Sequence, residues 1–399
     1  MLTPYLGEFL VSPAALHLSL NWCSHGCKGC FANLRVPDRK ADPKAIMRLL
    51  SDYPNRSTLV ARLLQGKYPL LFSNLVDPFA ASNYFLSVPI LEVLTQLGIP
   101  VMFQTRGGRG VDDVLSFLPP SHWYISIPRD NEDLRKVMEP GAPPIADRFA
   151  LIEKLLARGH KVSVGINPLV PEWLPDPIPL LKRLDDAGVE NIWAAFFHLD
   201  NKQISNMPPK DKALFSENLM RRARSRTPLA DEQFLFARVQ DFCADAGMSL
   251  YSGVTSYRND YWSECEKLYP VRFPTMQGFV NHLYDTWDDY SEGARQVALQ
   301  EYLNYFLPFC PEGDFDLTSM ARASHSHNKK TPPIKGFREY LIYNWKTTSA
   351  QASLAKLDCF AIAAESDGDD WVEIHDDGLP MYFFDPKGFD HYYIPVVEV

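Results

Sequence analysis

The chain has 399 residues, 46% hydrophobic and 22% charged, with 32 prolines and 21 glycines. This composition excludes a disordered, collagenous or coiled-coil chain, and no apolar run approaches the roughly 18–20 residues of a membrane span. The net charge of -9 argues against nucleic-acid binding through the overall field, although a local basic patch can still provide it.

The N-terminus, Met-Leu-Thr-Pro-Tyr, lacks the basic start and apolar run of a secretory signal. The cysteines number seven, an odd count. A cytoplasmic protein without a disulfide framework is expected. From Leu16 onward short apolar runs alternate with amphipathic segments. The strands expected are Leu16–Leu20, Leu70–Asn74, Val101–Thr105, Trp123–Ile127, Val162–Asn167, Ile192–Phe197 and Ser249–Val254. The helices expected between them are Pro43–Leu50, Asn83–Leu97, Val111–Leu118, Ala146–Arg158, Pro177–Ala187 and Glu232–Ala246. Several end at a glycine stop, namely Gly98, Gly159, Gly188 and Gly247.

Repeated strand-then-helix units predict an α/β fold with a parallel sheet, rolled into a partial or complete barrel. An open doubly wound sheet is the alternative. In either, ligands collect at the C-terminal ends of the strands. The rhythm stops near residue 255. Residues 1–255 are expected to form the barrel core, and 256–399 a C-terminal α+β extension that covers the barrel mouth.

The first expected strand runs into Cys23-Ser24-His25-Gly26-Cys27-Lys28-Gly29-Cys30-Phe31-Ala32. Thiolates are soft ligands suited to iron–sulfur clusters or zinc. Three of them on so short a loop can wrap one face of a [4Fe–4S] cubane, with glycines allowing close backbone approach. The fourth iron then stays open to the amino and carboxylate groups of S-adenosylmethionine (SAM). One electron from the cluster would cleave the sulfonium and yield a 5′-deoxyadenosyl radical. The competing readings are a zinc site completed by His17 or His25, and three structural cysteines.

This triad, followed by Phe31 and placed after the first strand of a β/α series, resembles the radical SAM superfamily. The wider pattern over residues 14–200 is similar to the spore photoproduct lyase branch. The resemblance rests on Cys-Ser-His-Gly-Cys-Lys-Gly-Cys-Phe-Ala, on Ser126-Ile127-Pro128, on Met138-Glu139-Pro140-Gly141-Ala142-Pro143-Pro144 with Arg148, and on Asn167-Pro168-Leu169-Val170-Pro171. It implies a radical SAM partial (β/α)6-type barrel. Cys23, Cys27 and Cys30 would hold the cluster. Phe31, Ser73, Asn74, Asp77, Gln104, Thr105, Ser126, Arg148 and Asn167 would line the SAM site, with Asp77 at the SAM ammonium and Arg148 at its carboxylate. A flavodoxin or ferredoxin would supply electrons.

The resemblance further implies a nucleobase substrate, a modified thymine in DNA. Members of that branch carry a hydrogen-donating cysteine near the end of the second strand, whereas Leu70–Ala80 contains none. This points to rearrangement or hypermodification, as in phage DNA, in place of photoproduct repair. An isomerase, mutase or lyase that regenerates SAM is expected. His198, Tyr251 and Tyr257 are the candidate catalytic residues. The basic runs Arg221–Arg226 and Arg322–Lys346 are the candidate DNA contacts. The alternatives are a radical SAM enzyme acting on a peptide or small metabolite, and a non-catalytic iron–sulfur or zinc protein. The remaining cysteines, Cys243, Cys265, Cys310 and Cys359, form no tight pair that would signal a second cluster.

Overall fold

The computed structural model describes residues 2–4, 14–20, 22–34, 42–72, 75–225, 228–252, 268–273, 275–286, 295–323, 331–347, 354, 360–362 and 379–385. Its main sheet has eight strands in the order of the chain. They are β1 (Leu2–Pro4), β2 (Leu16–Leu18), β3 (Leu70–Phe72), β4 (Val101–Thr105), β5 (His122–Ser126), β6 (Lys161–Leu169), β7 (Asn191–Phe196) and β8 (Ser249–Ser252). β1 is an antiparallel edge on β2, and β2 to β8 are parallel. The strand order never reverses. A doubly wound sheet must reverse at a switch point, so the sheet is the rolled, barrel-like alternative.

The two faces of the sheet differ in chemistry. On the outer face Phe72, Phe103, Trp123, Ile125, Val164 and Ile192 share one core with helix residues such as Leu91, Leu94, Ile152, Leu155, Leu181 and Leu184. The helices follow the 3.6-residue period. In Ile145–Ala157 the buried set includes Ile145, Arg148, Phe149, Ile152 and Leu155, one stripe facing the sheet. Inside, Leu71 and Met102 pack with Ala14 and Tyr269 as a small separate plug. Above that plug the inner face turns polar. His122 Nε2 lies 3.0 Å from Ser163 Oγ, and Tyr251 Oη donates to Asn191 Oδ1 at 3.3 Å. By register Gln104 sits beside Tyr124 on the same face.

Two features depart from expectation. Residues 197–225, between β7 and the helix Ala230–Ala246, build three short helices, Asn201–Asn206, Pro209–Lys212 and Glu217–Arg224. Phe197, Phe215, Leu219, Trp173 and Met138 make a second apolar core there. The C-terminal region also lies differently. Its described residues comprise the helices Met276–Asp285, Leu299–Phe306, Thr318–Ala323 and Gly336–Lys346 and a three-stranded antiparallel sheet of β9 (Arg295–Val297), β10 (Phe360–Ile362) and β11 (Tyr382–Phe384). Tyr269 Oη donates to Val101 O and accepts from His122 N, both at strand starts. Tyr68, just before β3, stacks at 5.0 Å on Phe273 and donates to Phe309 O. These contacts are at the base of the barrel, the pole opposite the strand ends that carry the cysteines. The expected covering of the mouth by the C-terminal region falls on residues outside those described, such as 253–267. Apolar Leu71 and Met102 at the base need an apolar lid, and Tyr269 supplies it.

Candidate functional site

The three clustered cysteines sit on the loop that leaves the C-terminal end of β2. All three are free and partly exposed. Gly26 and Gly29 adopt left-handed φ of 61° and 71°, which folds the loop tightly enough to bring the thiols round. The loop is held from behind at several points. Lys28 N donates to Met138 O at 2.7 Å, and Gly141 N to His25 O at 2.8 Å. His25 Nδ1 lies 2.9 Å from Gly141 O. The two backbones touch at Gly141, where an added Cβ would lie 2.2 Å from Ser24 O. The insertion braces the other side. Gln203 Nε2 donates to Phe31 O, Asn206 Nδ2 to Leu34 O, and Lys28 Nζ pairs with Asp211 at 2.9 Å.

Asp77 is the second support. Its Oδ1 accepts from Thr105 Oγ1 at 2.8 Å and from Phe79 N at 2.9 Å, and its Oδ2 from Arg106 N at 2.7 Å. His25 Nε2 is 3.1 Å from Oδ2. Burial raises this carboxyl, but His25 and the N–H groups of Arg106 and Phe79 outweigh it and hold it below the usual carboxylate range. With these partners in place, Asp77 positions the cysteine loop and the β4 exit. It is not presented to a ligand's ammonium group.

Arg148 is likewise committed. It is 1% exposed, and its guanidinium donates to Pro143 O, Ser126 O and Glu139 Oε2. Glu139 also takes Arg106 Nε at 2.9 Å and faces Arg129 Nη1 at 3.6 Å. Burial opposes ionisation of Glu139, yet the three arginines hold its carboxyl far below the ordinary range. The sequence reading quoted Glu139 within its motif without assigning it a role, and it missed Arg129.

The other expected residues divide into groups. Gln104 and Ser126 lie on the inner face near the strand ends, and Asn167 is exposed at the end of β6. Tyr124, also missed, joins them: its hydroxyl lies where a Cβ on Gly165 would be, at 1.8 Å, and it is hydrogen-bonded to Asn167. Its neighbour by register is Gln104, and that pairing was the available signal. Thr105 is buried and occupied by Asp77 and by Gly107 N. Phe31 is 41% exposed at the loop's end. Tyr251 is buried one residue before the end of β8, level by register with Trp193, Gly165 and Ser126, and its hydroxyl turns back to Asn191. His198 is exposed and bonded to Ser225 O, so it anchors the insertion and does not face the interior. Arg222 is buried in ion pairs with Glu172, Asp231 and Glu232 and is closed to DNA, while Arg221 and Arg224 are exposed. Ser73, Asn74, Arg226, Tyr257, Cys265 and Cys359 lie outside the described residues.

The donor set fits a cluster better than a single ion. Among the described residues no three His, Cys, Asp or Glu side chains are placed to hold one metal ion. A zinc site needs its donors about 2.0–2.3 Å from one point, whereas a cubane takes each thiolate on a different iron. His25 turns Nδ1 to Gly141 O at 2.9 Å and Nε2 toward Asp77 Oδ2 at 3.1 Å. Burial raises the Cys23 and Cys27 thiols to about 12. Thiolates there need nearby positive charge, and Arg106 supplies part of it.

Comparison with known proteins agrees with this geometry. Residues 18–184 match the radical SAM superfamily. An uncharacterised protein, ORF301 of the Acidianus two-tailed virus, is 26% identical over 213 residues, 48% of this chain and 70% of that protein. Among solved structures, SuiB of Streptococcus suis bound to S-adenosylmethionine is 16% identical with a TM-score of 0.39, covering 58% of this chain and 48% of SuiB. The chain thus spans about half the length of SuiB. Spore photoproduct lyase complexed with dinucleoside spore photoproduct is 12% identical with a TM-score of 0.39, covering 60% of this chain and 76% of the lyase. Over residues 18–184 the chain is thus similar to the radical SAM superfamily, a class that takes a [4Fe–4S] cluster and S-adenosylmethionine as cofactors.

Proposed function

We propose that Cys23, Cys27 and Cys30 each hold one iron of a [4Fe–4S] cluster, leaving the fourth iron for SAM. The observation that carries this reading is the seating of the cysteine loop at the C-terminal end of the first parallel strand, braced by Asp77 and by the turn at Met138–Ala142. Together the bound cofactors supply a 5′-deoxyadenosyl radical that takes a hydrogen atom from the substrate. The chain's own task is to hold the reactants in register and exclude water. Phe31, Gln104, Ser126 and Asn167 are the residues assigned to SAM, with Tyr124 beside them. Asp77, Thr105 and Arg148 act on the site by positioning. The insertion helices screen the cysteine loop from solvent, and Tyr269 closes the base.

For the substrate we infer a nucleobase, a modified thymine in DNA. Side-chain amides and an aromatic hydroxyl at the strand ends suit the edges and faces of a flipped base. Exposed Arg221 and Arg224 are the assigned phosphate contacts; the basic stretch Arg322–Lys346, also expected to contact DNA, packs through Phe337 on Phe273 at the base of the barrel and is not among them. The lack of a cysteine in Leu70–Ala80 favours an isomerase or lyase type of reaction over repair. A flavodoxin or ferredoxin in the cytoplasm is the inferred electron source. The test is to incubate the reconstituted protein, SAM and dithionite with thymine-modified duplex DNA, and separately with peptides. A new nucleoside, resolved from the substrate by chromatographic retention or by mass, and DNA binding that weakens steeply with salt are expected. Product from a peptide alone would overturn the substrate assignment.

A further inference from the structure

Behind the cysteine loop the charges do not cancel. One carboxylate, Glu139, faces three guanidinium groups: Arg148 Nη2 at 2.7 Å, Arg106 Nε at 2.9 Å and Arg129 Nη1 at 3.6 Å. Glu139 and Arg129 are each 2% exposed and Arg148 is 1% exposed. Two of the arginines are hydrogen-bonded to the carboxylate. Arg129 differs from them. Its Nε and Nη1 are buried without a hydrogen-bond partner, and its guanidinium carbon lies 4.4 Å from the centre of the Trp173 ring. Burial lowers its pKa to about 10, against the pull of Glu139, so it stays a cation at neutral pH. A buried cation with free donors destabilises the chain that holds it until an anion arrives.

The position of this cation says which anion. The Met138–Ala142 turn that carries Glu139 is bonded directly to the cysteine loop. The Cys27 thiol acts electrostatically on both Arg106 and Arg129. A [4Fe–4S] core with three thiolates is a net anion, and one-electron reduction makes it more so. Net charge and burial are among the factors that set the potential of such a cluster.

We propose that Arg129 is a counter-charge reserved for the cluster: the excess of Arg106, Arg129 and Arg148 over Glu139 favours the reduced, more negative state and raises the reduction potential. The inference rests on the assignment of the cluster to Cys23, Cys27 and Cys30. The step concerned is the gain of one electron from an external one-electron reductant, with no bond made or broken.

Arg129→Met removes the charge while keeping a long side chain over Trp173, and Arg129→Lys keeps the charge. All three proteins are reconstituted anaerobically without SAM, and the cluster midpoint is read by EPR during a redox titration. In R129M the reduced-to-oxidised ratio at a fixed potential should fall about tenfold, or ~59 mV for a one-electron couple. R129K should restore most of it. The cluster-free proteins give a second readout. R129M should melt above wild type, because the uncompensated charge is gone, and should gain less on cluster loading. A midpoint unchanged in R129M overturns the proposal. If SAM binding is then also tenfold weaker, Arg129 is a SAM carboxylate ligand instead. If R129M holds no cluster, the melting of the cluster-free forms decides: a lower Tm than wild type overturns the proposal, a higher one supports it. Cys23→Ala, Cys27→Ala and Cys30→Ala variants that take up iron and sulfide as fully as wild type would instead remove the cluster assignment, and the inference with it.

Discussion

At the scale of single residues, the site is held by two carboxylates: Asp77, which a sequence reading takes for a ligand contact, and Glu139, to which it gives no role. Asp77 accepts three hydrogen bonds and pairs with His25. Asp77→Asn should therefore lower stability by about 1.5–3 kcal/mol, the usual worth of a charged hydrogen bond, and weaken cluster retention along with SAM binding. Denaturant melts and iron content per chain check this; normal iron with weak SAM binding would return Asp77 to a ligand role. Glu139→Gln leaves the buried Arg129 and Arg148 and the half-buried Arg106 against a neutral amide, and a loss of about 3–5 kcal/mol is expected. The pH response follows from the histidines. Burial lowers His122 to about 3, and His17 and His160 to about 4. The unfolded chain protonates first on acidification, so stability is full above about pH 6.5 and falls as the pH drops toward these values. Tm should decline from pH 7 to pH 5, and less so in His122→Asn; a flat profile would contradict the burial of neutral histidines. The cysteine triad was legible because its ligands are local in sequence. The roles of Asp77 and Arg148 were not, because a saturated carboxylate or guanidinium looks the same in sequence as an open one.

At the scale of elements, the exits of the strands were placed well and the turn behind the cysteines was not understood. β4 runs Val101–Thr105 as expected, and the other parallel strands overlap their expected spans. Alternation on short buried strands marks the period, and glycine stops mark the ends of the helices between them. The Met138–Ala142 turn was quoted only as a likeness. Its physical content is backbone contact: Gly141 leaves no room for a Cβ against Ser24 O. Gly141→Ala should push the loop outward, with iron per chain reduced severalfold while the far-UV circular dichroism of the sheet and helices is kept. Full iron content in G141A would show that the contact is not needed. Gly165→Ala should displace the Tyr124 hydroxyl from its place between β5 and β6, because the new methyl would lie 1.8 Å from it. Of the insertion of residues 197–225 only the helix that carries Arg221, Arg222 and Arg224 was legible; the helices Asn201–Asn206 and Pro209–Lys212, of six and four residues, are too short for a periodic signal.

At the scale of the whole molecule, a rolled sheet with a greasy outer face and a polar inner face leaves, among the described residues, one open pole at the strand ends. Sequential strand order puts every crossover on the same side, which leaves the inner face free for Gln104, Tyr124 and Asn167. The strand–helix rhythm made this architecture legible. The placement of the C-terminal region was not legible, since nothing in its own composition records that Tyr269 and Phe273 pack at the base. No helix of the described residues is long and apolar enough to cross a membrane. The central claim is that the loop of Cys23, Cys27 and Cys30 builds a SAM-cleaving cluster at the open pole. Its most direct test is anaerobic reconstitution followed by iron and sulfide analysis and by assay of 5′-deoxyadenosine after addition of SAM and dithionite. The account predicts about four iron and four sulfide per chain, with 5′-deoxyadenosine formed by wild type and by none of the three Cys→Ala variants. Stoichiometric zinc without sulfide, or iron–sulfur protein that leaves SAM intact, would contradict it.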